Sequence, residues 1–288
     1  MIYVREDIRP LFRTERSVRD FMNIEGEVVK HVVKSRRITR FGRDGREFYM
    51  KCHYGVGWRE IFKNLLTLRL PVTGARDEWR ALNALKQAGI DSMDVAAFGS
   101  TGWNPASQQS FIITDALTDT LDVEQWLAAP DTAALSEQHP PGKRQVLRAI
   151  GRLAGKLHAS GINHRDFYLC HFRLRPAELA GLRPGQQPRL YLMDLHRAQI
   201  RHRVPLRWLV KDLSGLLYSG LYSAQDLPLT LRDYLRLVEA YCGIPWRECL
   251  RQRRGLWEKV LWRAQRDARR EGRSTVHLEH MLQQLAGA

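Results

Sequence analysis

Residues 161–172 read GINHRDFYLCHF, which is the most informative stretch of the chain for its fold. Apolar residues recur at helical spacing from Val146 to Leu157 and predict a long amphipathic helix that stops at Gly161. The triplet His164-Arg165-Asp166 follows in a loop. A His-Arg-Asp triplet placed after a long helix is typical of the catalytic loop of protein-kinase-like phosphotransferases.

A small sheet is expected before this loop, after a polar N-terminal segment. Five strands are predicted, at Glu27–Val33, Arg37–Phe41, Glu47–His53, Val95–Phe98 and Ser110–Thr114. The Asp44-Gly45 pair suits a tight hairpin turn between the second and third strands. Along the third strand Phe48 and Met50 alternate with Tyr49 and Lys51, as a half-buried strand requires.

One helix is predicted inside this sheet region, after Gly74. Leu82 and Leu85 lie on one stripe of that helix. Glu78 precedes them by four and seven residues, so we expect its carboxylate on the same inward-facing side.

The second half of the chain is predicted to be mainly helical. A short strand, Leu190–Met193, leads into Asp194, and helices are expected from Arg207 to Leu285. Surface insertions are expected at Pro130–Gly142 and Arg175–Arg189. The predicted fold class is α+β, as a bilobal protein-kinase-like fold. Residues 1–115 would form a nucleotide-binding lobe of antiparallel sheet and one helix, and residues 116–288 a larger, mainly helical catalytic and acceptor-binding lobe.

Lys51, Glu78, the His-Arg-Asp triplet and Asp194 occur in the chain order of a protein-kinase-like phosphotransferase. Phosphoryl transfer depends mainly on electrostatic positioning. A lysine held by a buried glutamate can neutralise nucleotide phosphates, and an aspartate can accept the proton of the acceptor hydroxyl. A second carboxylate can hold Mg²⁺, which prefers oxygen ligands.

Each of these residues also has a purely structural interpretation. Lys51 alone is more often a solvated strand lysine, and Glu78 alone suits a helix surface equally well. A His-Arg-Asp triplet occurs by chance. The combination, in order and on suitable elements, favours the catalytic interpretation.

The composition predicts a folded protein of the cytoplasm. The chain has 288 residues, 44% of them hydrophobic, which is enough for a sizeable core. No apolar run is long enough to cross a bilayer, and Met1–Asp20 lacks the apolar core of a secretory signal. Four scattered cysteines without C-x-x-C spacing predict reduced structural thiols, at Cys52, Cys170, Cys242 and Cys249.

The charge balance indicates an anionic partner. Lys and Arg number 46 against 31 Asp and Glu, which leaves a formal net charge of +15. Basic residues cluster between Lys30 and Arg46 and again between Arg247 and Arg273. The second cluster interleaves with apolar residues and predicts either a membrane-surface or acidic-partner helix, or an ordinary packed helix with a solvated basic face. No nucleic-acid-binding motif is recognisable, so nucleic acid is not an expected partner.

Four stretches resemble the lipopolysaccharide inner-core heptose kinases, the WaaP or RfaP family. They read FYMKCHYGVGWREIFKNLL (residues 48–66), LPVTGARDEW (70–79), GINHRDFYLCHF (161–172) and DLHRAQ (194–199). The similarity extends over residues 20–265. It implies an enzyme that uses ATP to phosphorylate the first heptose of the lipopolysaccharide core at the cytoplasmic face of the inner membrane.

The resemblance also implies roles for the motif residues. Asp166 would be the catalytic base, in a loop with His164 and Arg165, and Asp194 would bind Mg²⁺. Lys51 would contact the ATP phosphates with Glu78 as its ion-pair partner. Residues 113–117 would form the hinge for adenine. The implied hinge contacts are Thr114, Asp115 and Leu117.

The acceptor side is predicted less directly. Arg197 and Arg201 follow Asp194 and could contact an acidic, lipid-linked glycan, or lie on the surface. The candidate acceptor contacts are His171, His196, Arg197 and Arg201, together with Arg203. Acyl carrier protein is a conceivable further partner, because the family resemblance and the positive charge both favour an acidic protein.

The sequence departs from the general kinase pattern in three places. No G-x-G-x-x-G precedes Lys51, so the turn Lys34-Ser35-Arg36 would cover the nucleotide with basic side chains or backbone amides. His171 stands where kinases place a metal-binding Asn, and imidazole is a poor Mg²⁺ ligand. Asp194-Leu195-His196 replaces D-F-G and no A-P-E follows, which favours a glycan or small-molecule kinase over a regulated protein kinase.

Two other classes of function compete with a heptose kinase. A kinase of the same fold could act on 3-deoxy-manno-octulosonic acid (Kdo), an aminoglycoside or protein tyrosine. A non-catalytic module could use the basic surface for binding alone. The Gly55–Trp58 and Asp194–Arg197 segments favour the heptose kinase, and the presence of Lys51, Asp166 and Asp194 argues against a silent module.

Overall fold

The computed structural model describes residues 1–33, 36–55, 57–66, 74–104, 106–129, 140–183, 186–222 and 229–286. It divides into two compact units. The N-terminal unit contains Met1–Ala84, Met93–Thr118 and Asp194–Arg197. The C-terminal unit contains Leu85–Ser92, Asp119–Met193 and Ala198–Ala288. Most of the predicted nucleotide-covering turn (Lys34, Ser35) and of the first predicted insertion (residues 130–139) lies outside the described residues.

The N-terminal unit is built on an antiparallel sheet in the order β1-β5-β6-β4-β3-β2. The strands are β1 (Ile2–Val4), β2 (Glu27–Val33), β3 (Arg36–Arg43), β4 (Arg46–His53), β5 (Val95–Thr101) and β6 (Gln109–Asp115). The five predicted strands are all present. Strand β1 was not predicted; it is a short edge strand that pairs with β5 through Tyr3 and Phe98.

Alternation along β4 gives Lys51 its position. Lys51 lies opposite Ile38 on β3 and Ile112 on β6, so it is flanked by strands on both sides. Phe48 and Met50 are fully buried on the core face. Burying each of these side chains contributes about 2 kcal/mol, which fixes the register and hence the face that Lys51 occupies.

Helices complete the N-terminal unit, and there are more of them than the one predicted. They are a 3₁₀ helix (Glu6–Phe12), α1 (Val18–Met22), α2 (Gly57–Leu66) and α3 (Arg76–Gln87). The prediction of a merely polar N-terminal segment is wrong, because Ile8, Phe12 and Phe21 are buried in the core. The Phe21 ring stacks on Phe111 of β6 with centroids 4.6 Å apart. The N-terminal segment therefore closes one face of the sheet.

The described part of the C-terminal unit is mainly helical. Its helices are α4 (Val123–Ala128), α5 (Pro140–Ala159), α6 (Pro176–Ala180), α7 (Leu206–Tyr222), α8 (Leu231–Cys242), α9 (Trp246–Gln252), α10 (Arg254–Arg270) and α11 (Val276–Ala286). Its short strands are β7 (Leu121–Asp122), β8 (Ile162–Asn163), β9 (Phe172–Leu174), β10 (Tyr191–Leu192) and β11 (Gln199–Ile200). They pair as β10-β9-β7 and as β11-β8.

The long helix predicted before the His-Arg-Asp triplet is α5. It packs closely on α8, since a Cβ at Gly151 would lie 2.4 Å from the Leu237 carbonyl oxygen. Gly161 then turns the chain with φ +75°, a conformation that only glycine adopts cheaply. A side chain there would also clash with the Arg201 carbonyl oxygen. The loop after α5 is therefore fixed at its start by backbone geometry.

The basic C-terminal helix, α10, is a packed helix. Leu256, Trp257, Val260, Leu261 and Ala264 are buried, and α10 contacts α7. Its apolar stripe therefore faces the protein interior. The interpretation of this stripe as a membrane-surface element is wrong, and the alternative of a packed helix with a solvated basic face is correct.

The cysteine prediction is wrong for one pair. Cys242 and Cys249 form a disulfide between the end of α8 and α9, with their Cα atoms 6.2 Å apart. A disulfide can span that Cα separation. The seven-residue spacing of the two cysteines does not predict the bond, because the bond depends on how the turn between the helices brings them together. Cys52 and Cys170 are not disulfide-bonded, as predicted. Among the described residues, no helix has the length and apolar character needed to span a bilayer.

Candidate active site

A buried ion pair joins β4 to α3 in the N-terminal unit. Lys51 Nζ lies 2.5 Å from Glu78 Oε1. Glu78 is buried and Lys51 is largely buried. Since removing one partner of such a pair leaves the other buried without its contact, each residue fixes the position of the other. The prediction that Glu78 faces inward is thus realised as a direct contact with Lys51.

Asp194 lies beside this pair. Its Oδ1 is 3.9 Å from Lys51 Nζ and accepts a 2.6 Å hydrogen bond from His196 Nδ1. The backbone of Asp194 is left-handed, with φ 59°, which is uncommon for residues other than glycine and recurs at functional sites. Asp194 and His196 therefore contribute to the same local cluster as Lys51 and Glu78.

Burial keeps a further basic group neutral here. His53, at the end of β4, has a pKa lowered to about 4 by burial and by the charge of Arg36. It adds no positive charge beside Lys51 near neutral pH.

The predicted hinge residues lie at the end of β6. The Thr114 hydroxyl contacts Met93 Sδ at 3.6 Å. Arg5 Nη1 donates a 2.7 Å hydrogen bond to the Asp115 carboxylate, so that side chain is committed to the N-terminal segment. The neighbouring Ala116 amide donates to the Glu47 carbonyl. Leu117 is half-buried, and the adenine contact of these residues stays a prediction.

The His-Arg-Asp loop is held by hydrogen bonds within the C-terminal unit. His164 is fully buried, and its Nε2 donates to the Met193 carbonyl at 2.8 Å. Arg165 has φ 75°, and its guanidinium lies over the Trp208 ring, 4.8 Å from the centroid. These contacts fix the positions of His164 and Arg165 next to Asp166.

Asp166 is mostly buried and lies near a cation that the sequence analysis did not single out. Lys211 Nζ, on α7, is 3.7 Å from Asp166 Oδ1. This contact places a positive charge beside the Asp166 carboxylate. His171 Nδ1 donates to the Asp166 carbonyl at 2.6 Å, and the His171 ring stacks on His164.

Asp212, the residue after Lys211, anchors the His-Arg-Asp loop and was also not predicted from the sequence. It is fully buried and accepts 2.7 Å hydrogen bonds from the backbone amides of His164 and Arg165. His158 Nε2 lies 3.4 Å from Asp212 Oδ2, the oxygen that also accepts from the His164 amide. The Tyr241 hydroxyl lies 3.0 Å from His158 Nδ1. Burial raises the pKa of Tyr241 to about 12, which keeps that hydroxyl protonated.

One sequence signal could have identified Asp212. It shares a face of α7 with Leu216 and Ser219, which are both buried. A carboxylate on an apolar helix face requires buried donors, and the amides of a nearby loop can supply them.

The structure thus forms two clusters from the predicted residues. Lys51, Glu78, Asp194 and His196 lie together in the N-terminal unit. The second cluster, in the C-terminal unit, consists of His164, Arg165, Asp166 and His171 with Lys211 and Asp212. Arg201 donates to Asn163 Oδ1 and Gln199 Oε1, both at 2.7 Å, which ties it to the short β11-β8 sheet.

The donor set suits Mg²⁺ bound mainly by phosphate. Among the described residues, no group of three or more His, Cys, Asp or Glu side chains is placed to hold a metal ion. Mg²⁺ typically takes one or two carboxylates and completes its coordination with phosphate oxygens and water. The half-exposed Asp194 carboxylate, beside Lys51, can serve as such a ligand.

These features define a protein-kinase-like phosphotransferase. The sheet carries a buried Lys–Glu pair, the His-Arg-Asp loop is anchored on a buried helical aspartate, and a further aspartate follows a short strand. Comparison with known proteins gives the family. The model of the lipopolysaccharide kinase (Kdo/WaaP) family matches residues 19–241. The chain belongs to that family.

Individual relatives agree with this assignment. The chain is 41% identical over 254 residues to the lipopolysaccharide core heptose(I) kinase WaaP of Pseudomonas aeruginosa, covering 84% of this chain and 89% of the relative. It is 38% identical over 259 residues to the enzyme of that name from Escherichia coli, covering 89% and 92%. A solved structure of WaaP in complex with acyl carrier protein superposes with a TM-score of 0.72 at 33% identity, covering 92% of this chain and 98% of that one.

These matches confirm the resemblance and the protein-kinase-like α+β fold. They also establish the chain as a kinase, so it uses ATP as its phosphoryl donor. The roles of individual residues stay predictions.

Proposed function

We propose that this protein uses ATP to phosphorylate heptose I of the lipopolysaccharide inner core. The observation that carries the proposal is the 41% identity, over most of both chains, to a relative named for that reaction. The Lys51–Glu78 pair and the anchored Asp166 loop support it, because a kinase needs both. The family model is named for Kdo as well as WaaP kinases, but the similar relatives are named heptose(I) kinases. An aminoglycoside, protein tyrosine or a non-catalytic module has no such support.

On the nucleotide side, Lys51 would neutralise the ATP phosphates while Glu78 fixes its ammonium group. Asp194 would hold Mg²⁺, which supplies charge neutralisation on the phosphates when it is bound. The end of β6, with Thr114, Asp115 and Leu117, would bind adenine. We propose that residues 1–115 are the nucleotide-binding lobe and residues 116–288 the catalytic and acceptor-binding lobe.

On the acceptor side, Asp166 would accept the proton of the heptose hydroxyl as its oxygen attacks the γ-phosphorus. The bond from that phosphorus to the β,γ-bridging oxygen breaks, and ADP leaves. Lys211, 3.7 Å from the Asp166 carboxylate, would help to hold that side chain in place before transfer. The proposed contacts to the acidic glycan are His171, His196, Arg197 and Arg201.

The proposed reaction can be tested on lipopolysaccharide core that lacks phosphate on heptose I. With ATP and Mg²⁺ we expect the purified protein to add one phosphate to the core, detected by mass spectrometry, with one ADP released per phosphate. Kdo, an aminoglycoside and a tyrosine peptide serve as matched acceptors. Faster transfer to any of these three than to the core would contradict the proposal.

We further propose two partners, an acylated carrier protein and the cytoplasmic face of the inner membrane, where the lipid-linked substrate would be met. The first is supported by the similarity to WaaP in complex with acyl carrier protein and by an apolar cavity of about 300 Å³ in the C-terminal unit. Residues from α7, α8, α10 and α11 line it, including Leu213, Leu217, Tyr234, Leu235, Val260 and Met281. A cavity of this size and character suits a fatty acyl chain.

Acyl carrier protein carrying a long acyl chain is expected to raise the melting temperature by about 5 °C when present at about a hundred times its Kd, because it binds only the folded state. The measurement is differential scanning fluorimetry. The matched control is the same carrier protein without its acyl chain, which should give a much smaller shift. Met281→Trp, which adds bulk at the cavity, should reduce the difference. Equal shifts with both forms would contradict an acyl-chain site.

A further inference from the structure

Helix α2 presents an apolar stripe to solvent. Trp58, Phe62 and Leu66 recur at every fourth residue, and their exposed fractions are 50%, 58% and 86%. The rings of Trp58 and Phe62 contact each other, with centroids 5.8 Å apart. Ile61, beside this stripe on the same helix, is buried. Because Ile61 attaches the helix to its unit, the outer stripe is not needed for packing.

A third exposed aromatic residue lies in a loop that contacts the start of this helix. Trp103 is 96% exposed and lies in the loop between β5 and β6. In that loop the Ala106 carbonyl accepts a 2.9 Å hydrogen bond from the Gly57 amide. A Cβ on Gly55 would lie 2.6 Å from the same carbonyl oxygen, so the two segments are in close contact. We refer to Trp58, Phe62, Leu66 and Trp103 together as the α2 surface.

Folded proteins rarely expose several large apolar side chains close together unless they contact a partner or a lipid surface. Tryptophan and phenylalanine beside basic residues are typical of elements that lie in the interfacial layer of a bilayer. Arg59 is exposed on the same helix, and the chain carries a net charge of +15. This charge is complementary to anionic lipid headgroups, which attract basic surfaces.

The other basic element with tryptophans does not compete for this role. The apolar stripe of α10 is buried, and Trp262, 60% exposed, is its one strongly exposed large apolar side chain within the described residues. Arg266 covers the Trp262 ring at 5.7 Å.

We propose that the α2 surface docks on an anionic bilayer, inserting Trp58, Phe62 and Trp103 among the headgroups. The inference rests on the proposed function only in that a lipid-linked acceptor gives such docking a purpose. The α2 surface would be a membrane-contacting surface, and none of its four residues is among the catalytic and acceptor residues proposed above.

The test measures binding of the whole protein to vesicles made of equal parts phosphatidylglycerol and phosphatidylcholine, without ATP or acceptor. The double variant Trp58→Ser/Phe62→Ser is expected to lower the partition coefficient about tenfold or more, since two large apolar side chains no longer enter the interface. Trp103→Ser should lower it by a smaller factor. Trp262→Ser, with a comparably exposed tryptophan, is the matched control and should bind like the unchanged protein.

Circular dichroism and phosphorylation of soluble, lipid-free core should be unchanged in all variants, because these side chains are exposed and outside the catalytic clusters. Failure of the unchanged protein to bind these vesicles would overturn the inference, as would equal loss in the Trp262→Ser control. A dimer that the double variant dissociates would instead assign the α2 surface to a second copy of the chain. A protein that binds vesicles but does not phosphorylate heptose would leave the inference standing and overturn only the proposed function.

Discussion

Asp166→Asn is expected to lower kcat for phosphoryl transfer by about 10³-fold or more, because the amide cannot accept the proton of the acceptor hydroxyl. The substitution keeps the size of the side chain and leaves the backbone of the loop unchanged. His171 still donates to the Asp166 carbonyl, and Asp212 still accepts from the preceding amides. We therefore expect the KM for ATP to change little.

The measurement is steady-state ADP release with the lipopolysaccharide core as acceptor. Asp91→Asn is a matched control in the same unit, since Asp91 is an exposed carboxylate paired with Arg189. It should leave kcat unchanged. Turnover by Asp166→Asn close to that of the control would remove Asp166 from the mechanism. A raised KM for ATP with normal kcat would assign it to nucleotide binding instead.

The residues that local patterns specify were predictable from the sequence. Alternation along β4 put Lys51 on the other face of the strand from the core-facing Phe48 and Met50, because a strand has a side-chain period of two. Helical spacing placed Glu78 on the inward face of α3, where it meets Lys51. Gly161 marked the end of α5 because its backbone is left-handed.

Elements whose stability comes from distant contacts were not predictable in this way. Strand β1 has three residues and exists only because it pairs with β5 more than ninety residues later. Helix α2 was overlooked because it carries apolar residues on two sides, Ile61 inward and the Trp58 stripe outward, which blurs the signal of a single buried face. The Cys242–Cys249 disulfide likewise depends on the path of the chain between two helices.

The catalytic loop combines both kinds of information. The His-Arg-Asp triplet is readable because its three residues are adjacent. The residues that support the triplet are not readable from the sequence. Lys211 and Asp212 lie more than forty residues later and reach the loop only through the fold. The left-handed backbone of Arg165 costs free energy that the fold must offset, and the hydrogen bond from its amide to Asp212 is the contact placed to do so.

Asp212→Ala is therefore expected to reduce both stability and catalysis. It leaves the buried amides of His164 and Arg165 without their acceptor, which should lower the free energy of unfolding by about 3 kcal/mol. The loop would also lose the contact that fixes Asp166, and a displacement of about 1 Å at a reacting group can lower kcat about 10²-fold. Denaturant unfolding measures the first effect and turnover, at a temperature where the variant is folded, measures the second.

A second buried aspartate separates the two effects. Asp233 in α8 is buried and pairs with Lys143 at 2.9 Å and Arg236 at 2.8 Å, without a described contact to the catalytic loop. Asp233→Ala should therefore lower stability by a similar amount and leave kcat unchanged in the folded protein. Asp212→Asn, which keeps one acceptor oxygen, should fall between Asp212→Ala and the unchanged protein in both measurements. If Asp212→Ala loses stability but keeps full turnover, as Asp233→Ala should, the left-handed loop holds Asp166 in place without the buried anchor.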